Sequence, residues 1–377
     1  MSRPVPRRRP RAALALPLVL AALLAACVSQ RAPSAPAGSR PTAATATSPT
    51  RAPATTAPAR AGSTHDPTGA AVTLAFGGDV HFEGVLAGRL ASDPATAVGP
   101  VAAVLRRADL AMVNLETAVT TRGSPAGKQF TFRVPGAAFA ALQAAGVDVA
   151  TMANNHGMDF GVTGLRDSLD AARAAGFPVA GIGRDAAEAF RPRRFTVHGQ
   201  RIAVLAATQV LDASLAAAWS AGDGKPGLAS AYDEGRLLAA VRAARATADT
   251  VVVDLHWGKE LASCPIDRQR ALAPRLVAAG ADVVVGSHAH VLLGAGWLHG
   301  AYVDYGLGNF VFYSGGGVTA QSGVLLLTVR GRAVTRDRWV PATISGGIPL
   351  PLRGAAAEGA VARWRALRGC TGLAAGP

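Results

Sequence analysis

Residue types that bind metal ions recur along this chain, each just after a short apolar run. The order is Asp79-Val80-His81, Asn114-Leu115-Glu116, Asn154-Asn155-His156, Leu255-His256-Trp257-Gly258 and Gly286-Ser287-His288-Ala289-His290. Five of the eight histidines fall in this set. Neutral imidazole is the commonest protein metal ligand, and carboxylates add charge and bridging oxygens. A two-metal hydrolytic site needs several N/O ligands per ion, one carboxylate shared between ions roughly 3.5–4 Å apart, and a nearby proton donor. Asp79, His81, Glu116, Asn155, His256, His288 and His290 supply ligands of that type, with His156 adjacent. A divalent metal is therefore the expected cofactor, with two ions of Mn, Zn or Fe.

The apolar runs predict the elements that carry these residues. Val72–Phe76, Leu110–Leu115, Val147–Met152, Thr250–Leu255 and Val283–Val285 read as strands ending at the motifs. Helical patterns cover Thr163–Ala175, Tyr232–Ala246, Asp267–Ala279 and Ala356–Arg368, and Arg193–Ala206 reads as a hairpin turning at Gly199-Gln200. Further strands are expected over Tyr302–Asp304, Phe310–Tyr313, Gly323–Val329 and Ala333–Val340. Alternating strands and helices argue for an α/β fold. The later strands argue for a mixed sheet or a two-sheet sandwich. Gly181-Ile182-Gly183 lacks the third glycine of a dinucleotide loop and reads as a turn.

The first seventy residues read differently. Arg3, Arg7, Arg8, Arg9 and Arg11 precede an apolar stretch, Ala12–Ala26, too short to span a bilayer. Leu24-Ala25-Ala26-Cys27 looks like a bacterial lipoprotein box, so residues 1–26 are expected to be a signal peptide and Cys27 the lipidated residue. Residues 27–70 are rich in Ala, Pro, Ser and Thr and read as a tether. The expected location is the outer face of the bacterial cell membrane, with the membrane as partner through the lipid. Of the net charge of +14, nine arginines and one aspartate lie in these segments, leaving 29 basic against 23 acidic side chains, a net +6. No basic stripe with interleaved aromatics is present, which argues against nucleic acid as a partner. In an oxidising compartment Cys264 and Cys370 either pair or remain as buried thiols.

Gly78-Asp79, Asn114-Leu115-Glu116, Asn154-Asn155-His156, His256-Trp257-Gly258 with Glu260, Gly286–His290 and Leu307-Gly308-Asn309-Phe310 together resemble the motif series of the CapA family of poly-γ-glutamate capsule-synthesis proteins. The resemblance runs from about Val72 to Phe312. That family is in turn similar to calcineurin-like metallophosphoesterases, which implies a layered αββα sandwich over residues 71–345, followed by a C-terminal extension, 346–377, with a helix. Carried over, Asp79, His81 and His290 would hold one metal and Asn155, His256 and His288 the other. Glu116 would bridge, and His156 would be the catalytic proton donor. This chain departs from the wider pattern in having Glu rather than Asp at the bridge, and Ala153-Asn154 in place of the usual glycine.

Candidate substrate contacts are Asn154, Arg133, Trp257, Glu260 and Asn309. Trp257 is alternatively core packing. Lys259 and Tyr305 are further polar candidates, and Lys128 and Arg133 flank Phe130-Thr131-Phe132 in a segment that reads as a lid. Basic side chains there would suit an anionic polymer, or are solvated surface charge. His65 and His198 read as structural, and His299 stays open. The resemblance implies a role in synthesis, export or attachment of an anionic envelope polymer such as poly-γ-glutamate, by metal-dependent hydrolysis or transfer. The alternatives are a non-catalytic scaffold or polymer-binding subunit of a membrane synthase complex, or a metal-dependent epimerase.

Overall fold

A computed structural model describes residues 70–313 and 316–377. The expected signal segment, Cys27 and all but the last residue of the tether lie outside the described residues.

Two sheets dominate. One is eight-stranded, with Ile348–Pro351, Ala333–Ser345, Gln321–Arg330, Val72–Val80, Leu110–Leu115, Val149–Thr151 and Val179–Ala180 side by side, and Asn309–Val311 paired to the end of Val72–Val80. The second is six-stranded, ordered Ala295–Leu298, Ala301–Asp304, Val283–Ser287, Thr250–His256, Gln200–Thr208 and Arg193–Val197. The strands bearing the motifs are parallel within each sheet. Their carboxyl ends therefore face one way, where ligands of parallel α/β sheets bind.

Alternation along these strands builds the layers. Val72, Leu74 and Phe76 of the first sheet and Val252, Val283 and Val285 of the second share one buried cluster, the filling between the sheets. The intervening residues face outward. Ala75 and Val113 pack with Phe139, Leu142 and Leu165, on helices Ala137–Ala145 and Gly161–Ala174. On the other side, Val251, Val253 and Leu255 pack with Leu237, Val241, Leu272 and Leu276, on helices Glu234–Arg245 and Asp267–Ala279. The order helix, sheet, sheet, helix is the expected αββα sandwich. Truncating a leucine in these closed layers to alanine costs roughly 2–5 kcal/mol.

Element ends follow local chemistry. The helix read from Tyr232 starts at Glu234, because the Asp233 side chain accepts from the Arg236 N–H at 3.0 Å and caps it. The hairpin turns at His198-Gly199, with φ of +49° and +80°. Residues beyond Ser345 continue the same body. Ile348–Pro351 adds an edge strand, and helix Gly354–Ala366 stacks Trp364 on Trp339 with centroids 5.4 Å apart. A disulfide joins Cys264 to Cys370, with Cα atoms 5.8 Å apart. No helix among the described residues is long and apolar enough to cross a membrane.

Candidate metal centre

The Val72–Val80 strand ends in Gly77-Gly78-Asp79, and its pairing with Leu110–Leu115 shifts register between Phe76 and Asp79. Such irregularities re-aim side chains. A Cβ on Gly78 would stand 1.9 Å from the Gly308 carbonyl, so only glycine lets the Leu307–Asn309 backbone close over the strand end. Asp79, fully buried, accepts from Asn114 Nδ2 at 2.8 Å and from the His288 N–H at 3.3 Å, and lies 3.3 Å from His290 Nδ1. Burial works to raise its pKa, but the hydrogen bond and charge of His290 outweigh that, and it lies below the usual carboxylate value.

Glu116 is also fully buried, and neither carboxylate oxygen has a hydrogen-bond partner among the described residues. Burial, then repulsion by Asp79, pushes it up to about 8. A buried carboxylate left in this state is costly unless a cation meets it.

Opposite stand the histidines. His256 holds Nδ1 at 3.0 Å from Ser287 Oγ and Nε2 at 2.6 Å from Asn155 Oδ1, with Nε2 3.4 Å from Glu116. His288 Nδ1 is buried and has no partner among the described residues. Burial lowers His256 to about 3 and, with His256 and His290 nearby, holds His288 well below its ordinary value, so both rings are neutral. Burial also works against a proton on His290, but the charges of Glu116 and Asp79 raise it to about 10. His288 and His290 have φ of +91° and +57°, a strained region for non-glycine residues that occurs at functional sites.

These atoms fall into overlapping groups whose donors lie within 4.8 Å of one another: Asp79, Glu116 and His290; Glu116, His256 and His288; and Glu260, His288 and His290. Glu116 is common to the first two groups, in which every residue but the partly exposed His290 is buried. Unpartnered carboxylate oxygens, a buried imidazole nitrogen without a partner and a mixed N/O donor set fit a divalent cation. Asn155 stands beside them through His256.

His156 adjoins this centre. Its Nδ1 is 2.6 Å from Asp159 Oδ2, and its Nε2 faces Glu116 at 4.0 Å. Phe132 stacks on the ring at 4.0 Å and donates its backbone N–H to Asp159 at 2.6 Å. Lys128, expected in a lid, is buried here instead, with Nζ 2.8 Å from Asp159 and donating to the Asn155 carbonyl. A carboxylate behind Nδ1 fixes the ring and presents Nε2 to the site.

Other expected residues are placed differently. His81 is outside all three donor groups: its Nδ1 accepts from the Glu83 N–H at 2.8 Å, and Phe132, Phe312 and Tyr313 box its ring. Asn154 is not a substrate contact. It is fully buried, donating to Asn114 and to the Leu115 carbonyl, both at 2.9 Å, and accepting from the His156 N–H. Trp257 is core, fully buried, stacked on Tyr305 and donating to its carbonyl at 3.1 Å. Asn309 is buried against His290 Nδ1 at 2.9 Å and orients that ring rather than a ligand. Arg133 lies exposed, its guanidinium 4.8 Å over the Phe160 ring. Glu260 does reach the centre, lining a cavity of about 370 Å³ with Asn155, Asp212, Lys259 and His288. Sequence reasoning passed over Asp159, whose signal is its position three residues after His156, and the positioning role of Asn114, whose carboxamide touches Asp79, His256 and Asn154.

Residues 73–314 match the family described as bacterial capsule synthesis protein PGA_cap. The chain is 32% identical over 253 residues to the PGA biosynthesis protein CapA of Bacillus subtilis, a match covering 66% of this chain and 65% of the relative. It is 34% identical over 218 residues to the capsule biosynthesis protein CapA of Bacillus anthracis, covering 57% and 52%. The match thus spans between half and two thirds of these relatives' lengths. Among solved structures, a phosphatase from Mycoplasma pneumoniae aligns with a TM-score of 0.45 at 15% identity, over 73% of this chain and 95% of that one. A likeness that distant carries no functional weight.

Proposed function

Since the chain belongs to the bacterial capsule synthesis protein family, matched over residues 73–314, we propose that it is a metal-dependent hydrolase or transferase acting on an anionic envelope polymer, with poly-γ-glutamate as the leading substrate. The observation that carries the proposal is Glu116, buried without a hydrogen bond and common to two groups of metal-ligand donors. In this reading Asp79, Glu116 and His290 hold one divalent ion. Glu116, His256 and His288 hold a second, with Asn155 as a further oxygen donor. Bound ions would supply a water of lowered pKa and neutralise charge on the group under attack. Asp79 is oriented by Asn114, and His290 by Asn309. His156, held by Asp159, faces the centre through Nε2 and delivers a proton to the departing group. Lys128 pairs with Asp159 behind that ring, and Lys259, lining the cavity, attracts the polyanion. The reading extends to an exported protein tethered to the outer face of the cell membrane through Cys27, alongside membrane components of a polymer synthase.

The test is metal analysis of the purified full-length chain, with turnover assays on γ-linked glutamate oligomers and on an aryl phosphodiester. Metal retention and shortened oligomers are expected, both lost in His288→Ala. A fully metal-loaded protein that turns over neither substrate would refute the enzymatic reading and leave a metal-stabilised scaffold.

A further inference from the structure

Away from the metal centre, the sandwich has an arginine-lined cleft at the margin where both sheets end. Val179–Ala180 is one edge strand of the first sheet and Arg193–Val197 one edge strand of the second. Two adjoining cavities of about 300 and 560 Å³ open between them, sharing Arg173, Phe177, Arg191 and Arg193 in their walls. Neither shares a lining residue with the cavity at Glu260 and His288. Both volumes lie in or near the range of small-molecule sites, roughly 300–1,000 Å³.

The charge in this cleft is unbalanced. Arg173, Arg184, Arg191, Arg193 and Arg194 line it, against one carboxylate in its walls, Glu188. Arg184 pairs with Glu188 at 3.2 Å and with Asp170 at 2.8 Å, and Arg173 and Arg191 reach the same two acids at 3.4 and 3.6 Å. Among the described residues no carboxylate forms a salt bridge with Arg193 or Arg194, and Arg194 donates from its guanidinium to Thr247 Oγ1 at 2.7 Å. Arg193 is half-buried, donates Nε to the Val179 carbonyl, and has its pKa lowered by burial and then by Arg191. Folding thus gathers like charges around a concave surface, an arrangement that an anionic ligand relieves. The floor is apolar: Leu169, Ala172, Phe177, Pro178 and Phe195.

We infer that this cleft is a second, non-catalytic binding site for a polycarboxylate chain. Guanidinium forks match carboxylates in bidentate geometry, and the apolar floor suits methylene segments between successive carboxylates. Inorganic polyphosphate has the charge but nothing to cover that floor. The identity of the chain as γ-linked polyglutamate rests on the function proposed above. A site at the sheet margin would hold the polymer while the metal centre works on it elsewhere.

Fluorescence anisotropy of a labelled γ-linked glutamate decamer with the purified full-length chain tests this. Arg173→Glu/Arg191→Glu changes two exposed side chains that line both cavities, and its fold is checked by circular dichroism and metal content. The double variant is expected to bind the decamer at least ten-fold more weakly, with turnover of a small aryl substrate unchanged. His288→Ala is expected to bind the decamer as wild type does, so loss of catalysis and loss of the cleft are read separately. Equal decamer affinity in wild type and double variant would overturn the inference. So would binding abolished by His288→Ala alone, or preference for polyphosphate over the decamer.

Discussion

Glu116→Gln in the metal-free protein gives the sharpest test of the centre. The folded state keeps a proton on Glu116 up to about pH 8, whereas the unfolded chain releases it near the ordinary value of 4.5. Between those values the folded protein binds one more proton than the unfolded chain at this position. Stability therefore falls as pH rises through the window, by roughly 1.4 kcal/mol per pH unit. From pH 5.5 to 7.5 this amounts to about 3 kcal/mol. For a domain of this size that is a melting-temperature difference on the order of 6 °C. Asp254 and Asp304, both raised to about 8 by burial, add slopes of the same sign that cancel in the comparison. His290, raised to about 10 with Glu116 as the largest raising cause, loses part of its own downward slope above its ordinary value of 6.5 in the variant and so widens the difference in the same direction. Thermal unfolding of chelator-treated wild type and Glu116→Gln at the two pH values is the assay. The variant should show the shallower loss and the higher melting temperature at pH 7.5. Adding Mn²⁺ should raise wild type more than the variant, because an ion binds the ionised carboxylate. Parallel pH slopes in the two proteins would refute the picture of Glu116 as an uncompensated buried carboxyl.

Asp159→Asn removes the carboxylate 2.6 Å from His156 Nδ1; turnover should fall on the order of 10–100-fold with metal content unchanged, and unaltered kcat would remove the His156–Asp159 pair from the mechanism. Cys264→Ser opens a link between residues 106 apart in sequence; urea unfolding without reductant should show a loss of about 4–5 kcal/mol, and a variant as stable as wild type would mean that the link contributes little. Cys27→Ser should move the protein from the membrane pellet to the soluble fraction, and continued pelleting would count against lipid attachment.

Much of the centre was legible because strand ends are legible. A short apolar run followed by a polar cluster marks where a parallel strand leaves the sheet, and Asp79, Glu116, His256 and His288 all sit at such points. Side-chain direction was harder. Trp257 follows His256, and alternation sends it to the opposite face, into the helix-covered layer. His81 is two residues past Asp79, but the Val72–Val80 strand has ended by then and the ring turns into an aromatic box. Asn154 looks like Asn155 in sequence; only the carbonyl of Leu115 and the carboxamide of Asn114, both within 2.9 Å, show that it is consumed internally. Helix Ala137–Ala145 left no usable pattern, because alanines on all sides blur the difference between its faces.

The composition of the donor groups has a further consequence. Asp79 and Glu116 come from strand ends of the first sheet, and His256 and His288 from strand ends of the second. Each group that contains Glu116 thus spans the sandwich: Asp79 and Glu116 meet His290, and Glu116 meets His256 and His288. A cation held by either group ties the two sheets together at their carboxyl ends, where the apolar filling between them gives way to polar side chains. The strained backbone at His288 and His290 is held by neighbours on both sides, with the Leu307 N–H bonded to Gly286 at 2.8 Å and the Leu261 N–H to Ala289 at 2.9 Å. The ligands are therefore set by the rigid seam of the fold rather than by a loop that closes on the ion. Binding energy at such a seam appears as stability of the whole sandwich, which is why unfolding of the metal-free and metal-loaded protein reads the chemistry of the centre directly.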